Sequence, residues 1–191
     1  MRRIDHSRIP ILVAILGLSI LIHGHGFAED TALLSIGPRI GFTGKTPFLG
    51  REQKYNFYLT DVAAVFKFPW SWPVGESPWT LETRLLTSAG LLTAAGDNGL
   101  MATVVPVLAL SGWDRFVSID AGAGAGFFSR DKFAGQDFGG PVQIVATVGI
   151  QVNPIAHAYA GFRLQHFSDA GVYGPNTLGV DMYIVEVGYR F

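Results

Sequence analysis

Residues 142–153 read VQIVATVGIQVN, with Val142, Ile144, Ala146, Val148, Ile150 and Val152 on one phase of a two-residue repeat and Gln143, Thr147, Gln151 and Asn153 on the other. A β-strand turns successive side chains to opposite faces, so this stretch presents one apolar face and one polar face. The same period recurs on both sides of it. Downstream, Ala158, Ala160, Phe162 and Leu164 oppose His157, Tyr159, Arg163 and Gln165, and Tyr183, Val185, Val187, Tyr189 and Phe191 oppose Ile184, Glu186 and Arg190. Upstream, Val117, Ile119, Ala121, Ala123 and Ala125 alternate with Ser118, Asp120, Gly122, Gly124 and Gly126. Leu81, Thr83, Leu85 and Thr87 alternate with Glu82, Arg84 and Ser88, and Tyr58, Thr60, Val62, Ala64, Phe66 and Phe68 with a phase holding Asp61 and Lys67. Leu34, Ile36, Pro38, Ile40 and Phe42 alternate with Ser35, Gly37, Arg39 and Gly41. The run Met101–Leu110 is apolar in both phases; its β-branched content and flanking turn residues make it a strand whose facing is undetermined. Eight strands result.

Composition says where such strands belong. Of 191 residues, 49% are hydrophobic and 15% charged, against about 25% charged in an average soluble domain. Beyond residue 28, however, no apolar run approaches the roughly 20 residues of a membrane helix. An all-β, eight-stranded antiparallel transmembrane β-barrel reconciles the two, because each strand shows lipid one face and the lumen the other. The inward phases collect Arg39, Lys67, Arg84 and Arg163 with Asp61, Glu82, Asp120 and Glu186. Eight strands enclose only enough room for side chains, so an ion-paired plug is expected and not a pore. Trp70, Trp72, Trp79 and Trp113 fall at strand ends or turns, where amphipathic rings suit a membrane interface.

The first residues read as an address. Arg2 and Arg3 precede an apolar run from Ile9 to Ile22, and Gly26-Phe27-Ala28 offers small residues where a signal peptidase reads. The expected organisation is a cleaved signal peptide, residues 1–28, and an outer-membrane barrel, residues 29–191. His23 and His25 fall in the discarded part. A net charge of −1 denies the chain the basic footprint of a nucleic-acid partner. The absence of Cys excludes disulfides, thiolate metal sites and Fe–S clusters. Gly122, Gly124 and Gly126 lie at period two within a strand and not at a strand-to-helix turn, so they read as small inward residues and not as a phosphate loop. His157 shares the lumen phase of Arg163 and is expected to join the polar network near the periplasmic mouth.

One segment breaks the alternation. Continuing the outward phase Ala158, Ala160, Phe162, Leu164 gives His166 and Ser168, and reading the last strand back from Phe191 gives Asp181. Polar groups aimed at the bilayer need a reason. Eight strands beginning and ending on the periplasmic side bring all three to the extracellular end of one hairpin, at the level of the outer leaflet. A Ser hydroxyl becomes a nucleophile when a His takes its proton, and the His works best when a carboxylate fixes its tautomer. Positions 166 and 168, two apart on one face, have Cβ atoms roughly 6–7 Å apart. A bland alternative is a rim where polar groups meet lipid headgroups. The corresponding functional alternatives are a non-enzymatic barrel for anchoring or adhesion, and a phospholipase using the same trio.

His166-Phe167-Ser168-Asp169-Ala170-Gly171, followed by Pro175-Asn176, Gly179, Asp181 and Tyr183, resembles the signature of the outer-membrane lipid A 3-O-deacylases, the PagL family. The resemblance is carried by the last two strands. It implies an esterase that removes the 3-O-linked acyl chain of lipid A, acting on lipopolysaccharide in the bacterial outer membrane from a triad on the barrel exterior, with no cofactor and no metal. It would make Ser168 the nucleophile, His166 the base and Asp181 the orienting acid, with Asn176 and the backbone N–H groups near Gly171 as the oxyanion hole. Two departures stand out. The family pattern has Glu at the acid position and Asn after the nucleophile, whereas this chain has Asp181, after one additional loop residue, and Asp169. Asp169 is therefore the reserve candidate for the acid. Homodimerisation is left open.

Overall fold

The computed structural model describes residues 32–43, 53–174 and 177–191. Its strands are β1 (Ala32–Phe42), β2 (Phe57–Pro73), β3 (Trp79–Ala94), β4 (Asp97–Gly112), β5 (Val117–Phe128), β6 (Lys132–Phe133), β7 (Gln136–Asp137), β8 (Val142–Ile155), β9 (Ala158–Ser168) and β10 (Val180–Arg190). Eight of them close into an antiparallel barrel in the order β1-β10-β9-β8-β5-β4-β3-β2, and β6 and β7 pair as a separate short hairpin. The expected signal peptide lies outside the described residues.

The alternation holds around the wall. In β1 the odd residues Ser35, Gly37, Arg39 and Gly41 are buried while Ile36, Ile40 and Phe42 are exposed. The facing of β4, which the sequence leaves open, is settled: Met101, Thr103, Val105, Val107 and Ala109 point inward, and Leu100, Val104 and Leu108 point outward. Ile40 and Leu100 are each 64% exposed, and a continuous belt of such residues would be a liability in water but suits hydrocarbon. One expectation fails in β2. Phe68, placed on the outward phase, is buried. Lys67 pairs with Arg84 and Ser71 with Glu82, so four steps of β2 answer two of β3; within this bulge Phe68 turns inward before the pairing resumes at Ser71.

The lumen is ionic toward one end. Arg39 and Asp61 are cross-strand partners, and the guanidinium donates from Nε and Nη2 to the two carboxylate oxygens at 2.8 and 2.5 Å. Arg163 reaches across β8 to Asp120 on β5 at 2.6 and 2.9 Å, and lies 3.5 Å from Glu186. That reach passes over Gly149, which pairs with both residues; a Cβ there would fall 2.7 Å from Arg163 Cζ. Glu82 accepts from Arg84 and from Arg115, a residue of the β4–β5 turn, with Lys67 3.9 Å away. All eight inward charges expected from the sequence are thus paired. Removing one partner strands the other in a dry interior. Arg39→Ala is accordingly expected to destabilise the barrel by about 3–5 kcal/mol, read as an earlier urea midpoint in lipid vesicles followed by Trp fluorescence.

The other half of the lumen is apolar, which an ionic plug alone does not anticipate. Phe57, Phe128 and Phe167 from the wall meet Phe133 and Phe138 from the segment between β5 and β8, with ring centroids 5.3–5.9 Å apart and mostly edge to face. Leu59, Leu92, Met101, Val180, Met182 and Ile184 complete this cluster. The β6–β7 hairpin thereby stoppers the barrel, since its Phe133 is wholly buried.

The two ends differ in their connections. One has the turns 74–78, 113–116 and 156–157; the other has the segments 43–56, 95–96, 129–141 and 169–179. All four Trp sit toward the short-turn end, with Trp79 and Trp113 in edge contact at 5.0 Å. His157 also lies there, but not in the lumen as expected. β8 runs to Ile155 and β9 starts at Ala158, so His157 is a turn residue with φ +65°, exposed, stacked on Tyr189 at 5.2 Å and donating from Nδ1 to the Arg190 carbonyl.

Candidate active site

The site stands where β9 and β10 approach the long-loop end. Their antiparallel register sets Asp181 directly opposite His166 and Val180 opposite Phe167. One step further, Gly179 comes opposite Ser168. The lumen phase at this level is Gln165, Phe167 and Met182, all fully buried, so the intervening His166, Ser168 and Asp181 belong to the outer face.

His166 Nδ1 lies 2.5 Å from Asp181 Oδ1. A carboxylate can only accept, so Nδ1 is the protonated nitrogen and Nε2 is left as the basic one. Asp181 is 1% exposed although its phase points outward. A short, charge-assisted bond in so dry a place holds the ring in one tautomer and one orientation. Ser168 follows two residues along the same face, half-buried and with Ile144 as its partner on β8; Ala146, small enough to leave the imidazole room, is the partner of His166. Among the described residues Ser168 makes no hydrogen bond to His166. Catalytic bonds of this kind often tighten only when substrate is present.

Asp169, the reserve acid, is turned elsewhere. Its Oδ1 accepts from the Gly171 N–H at 3.1 Å and the Thr177 hydroxyl at 2.9 Å, and its Oδ2 from the Tyr173 N–H at 2.9 Å. It therefore organises the 169–179 loop and leaves Asp181 as the carboxylate on His166. The same bond engages one of the expected oxyanion donors. The Gly171 N–H is spent on Asp169 and is not open to an oxyanion, the αL backbone at Ala170 and Gly171 having curled it back toward that carboxylate. Asn176 lies outside the described residues.

Gly179 carries weight that its place in the motif does not reveal. A Cβ there would fall 2.4 Å from the Phe167 carbonyl oxygen, 3.2 Å from His166 Cε1 and 3.3 Å from Ser168 Cβ. Any side chain would collide with backbone and crowd both groups, so glycine lets the loop pass close against His166 and Ser168. One rung below, Tyr183 stacks between Phe42 and Phe162 on the outer wall, with ring centroids 6.0 and 6.4 Å away. The polar trio consequently borders an aromatic, lipid-facing surface. What this arrangement can do chemically is abstract a hydroxyl proton beside a bilayer.

In the expected triad Asp181 orients the base without taking its proton, and the effect of removing it follows. Asp181→Ala is expected to lower esterase turnover by roughly one to two orders of magnitude less than loss of the nucleophile does. Asp169→Asn, which keeps acceptors for the loop, is expected to retain most activity. Initial rates of fatty acid release from the two variants check this.

Comparison with known proteins gives the arrangement its relatives. A family model described as lipid A 3-O-deacylase (PagL) matches residues 51–190. The lipid A deacylase PagL of Bordetella bronchiseptica (strain ATCC BAA-588 / NCTC 13252 / RB50) is 32% identical over 90 residues, which cover 47% of this chain and 49% of that protein. The chain thus spans about half the length of that curated relative in the match. Among solved structures, the crystal structure of the outer membrane enzyme PagL aligns with a TM-score of 0.63 at 19% identity, covering 82% of this chain and 99% of that one; at that identity the likeness is one of fold. With the family match running over most of the barrel, from before β2 to the end of β10, the chain belongs to the lipid A 3-O-deacylase (PagL) family of bacterial outer-membrane barrels.

Proposed function

We propose that this protein hydrolyses the ester linking an acyl chain to position 3 of lipid A, with Ser168 as nucleophile, His166 as general base and Asp181 as the acid that orients it. The observation that carries the reading is the His166–Asp181 bond on the outer face of the barrel, with Ser168 on the same face. A pair of this kind aimed at lipid is costly unless it works there.

In the first step Nε2 of His166 takes the Ser168 Oγ proton as Oγ attacks the ester carbonyl, and the imidazolium is stabilised by Asp181. Collapse of the tetrahedral intermediate breaks the bond to the sugar oxygen, which leaves as the 3-hydroxyl with the proton from Nε2. Water, deprotonated by the same nitrogen, then releases the fatty acid and restores Ser168. Negative charge on the former carbonyl oxygen needs donors; with the Gly171 N–H engaged by Asp169, the Asn176 amide is the proposed one. The outward pull of the site fits the substrate. An acyl chain of lipid A already lies in the hydrocarbon, and the aromatic surface of Phe42, Tyr183 and Phe162 continues from the site into it.

Residues 1–28 serve in this reading as the export signal, and the long-loop end faces outward, as in barrels with short periplasmic turns and longer extracellular segments. The active site then meets the outer leaflet, where lipopolysaccharide resides. Purified protein in detergent, given lipopolysaccharide, is expected to release a free hydroxy fatty acid without added metal. If phospholipid is cleaved and lipopolysaccharide is not, the substrate assignment is wrong.

A further inference from the structure

The β6–β7 hairpin does more than stopper the lumen. Gln136, the first residue of β7, is wholly buried, and its amide is used at both ends. Oε1 accepts from the Lys54 backbone N–H at 3.1 Å, and Nε2 donates to the Gly179 carbonyl at 3.1 Å. The next residue continues the contact through the main chain, where the Leu178 N–H donates to the Asp137 carbonyl at 2.9 Å. Two consecutive residues of the hairpin therefore grip two consecutive residues of the 169–179 loop. Those two adjoin the site: Gly179 lies against the His166 ring and Ser168, and Asp181 follows it by two residues. The grip is tight on the flank as well. A Cβ at Gly140 would fall 2.4 Å from Tyr173 Cζ, and one at Gly139 2.5 Å from Thr177 Cγ2.

Strand pairing alone does not fix this point. The β9–β10 ladder ends at Phe167–Val180, so Gly179 lies just past the last rung, where a chain frays unless something outside the ladder holds it. A buried amide that satisfies one carbonyl and one N–H on two different loops is well suited to hold it, and desolvation makes each bond costly to leave unmade.

We propose that Gln136 is a positioning residue for the esterase reaction: through its bond to the Gly179 carbonyl it sets the distance of the loop from His166 and Ser168, and with it the space in which the acyl carbonyl is attacked. The inference rests on the deacylase reading for its kinetic arm but not for its structural one. Gln136 touches neither substrate nor the reacting atoms, so its removal changes how well the site is assembled and not whether it exists.

Two variants and two readouts test this. Gln136→Leu keeps size and burial but cannot donate; its kcat on lipid A in mixed micelles is expected to fall roughly tenfold to a hundredfold with KM unchanged, as misplacement of a catalytic constellation does. Gln136→Glu supplies the conservative control. Protonated, its O–H can donate to the Gly179 carbonyl while the second oxygen accepts from Lys54; ionised, it presents a charge to that carbonyl. The ratio of its kcat to that of the unsubstituted protein is therefore expected to rise as pH falls, which a packing role would not produce. The second readout is the NMR resonance of the His166 Nδ1 proton in micelles, expected far downfield in the unsubstituted protein and shifted or broadened in Gln136→Leu. Wild-type kcat in Gln136→Leu, a pH-independent ratio for Gln136→Glu, or an unmoved imidazole proton in Gln136→Leu would overturn the proposal. If the unsubstituted protein releases no acyl chain, the deacylase reading falls, and the proton resonance still decides whether Gln136 positions His166.

Discussion

Ser168→Ala is expected to abolish release of fatty acid, with a loss of 10³-fold or more by analogy with triads whose members act as a unit. The reason is local. Removing Oγ deletes the atom that forms the acyl bond. The fold is expected to be untouched, because the half-buried Ser168 side chain makes no hydrogen bond to another described residue. Folded barrels migrate faster than boiled ones in detergent gels, so unchanged heat-modifiable mobility together with lost activity is the predicted pair of results. Activity near the wild-type level would mean that the nucleophile is another group.

His166→Ala is expected to cost about as much, roughly 10³-fold or more, and Ser168→Ala/His166→Ala no more than either change alone. Without the imidazole the hydroxyl keeps its proton at neutral pH, and Asp181 has no base to orient. A double variant markedly worse than both single ones would show that Ser168 and His166 act separately and are not one relay.

Much of this was legible in the sequence because two different signals coincide. Period-two alternation marks seven of the eight wall strands, and the same alternation exposes His166, Ser168 and Asp181 as polar residues on an apolar phase. Register then did the rest, since the pairing that follows from a hairpin sets Asp181 across from His166. What escaped was whatever lacks a period. The bulge after Lys67 turned Phe68 inward; Pro69 marks a break in the ladder but not which way Phe68 turns. The facing of β4 was undecidable because both of its phases are apolar. Phe133 and Phe138 lie in a segment that reads as loop, yet they fill the lumen. A phenylalanine facing the interior has the same letter as one facing lipid.

The site shows the same limit at finer scale. The three catalytic candidates are visible from the phase argument and from the motif, but Gln136 is 30 residues or more from each of them and sits in a two-residue strand. Its role appears only when its two hydrogen bonds are seen to join separate loops. The negative charge of Asp169 beside the nucleophile looked unfavourable for a developing oxyanion; the hydrogen bonds it accepts within its own loop explain how the chain tolerates it, while also taking the Gly171 N–H out of service.

The most direct test is mass spectrometry of lipid A from cells that express this protein, compared with cells that express Ser168→Ala at equal outer-membrane levels. The account predicts a lipid A species lighter by one hydroxyacyl group, with fragmentation locating the loss at position 3, in the first cells and none in the second. Lipid A of unchanged mass in both, with correctly folded protein present in the outer membrane, would contradict it.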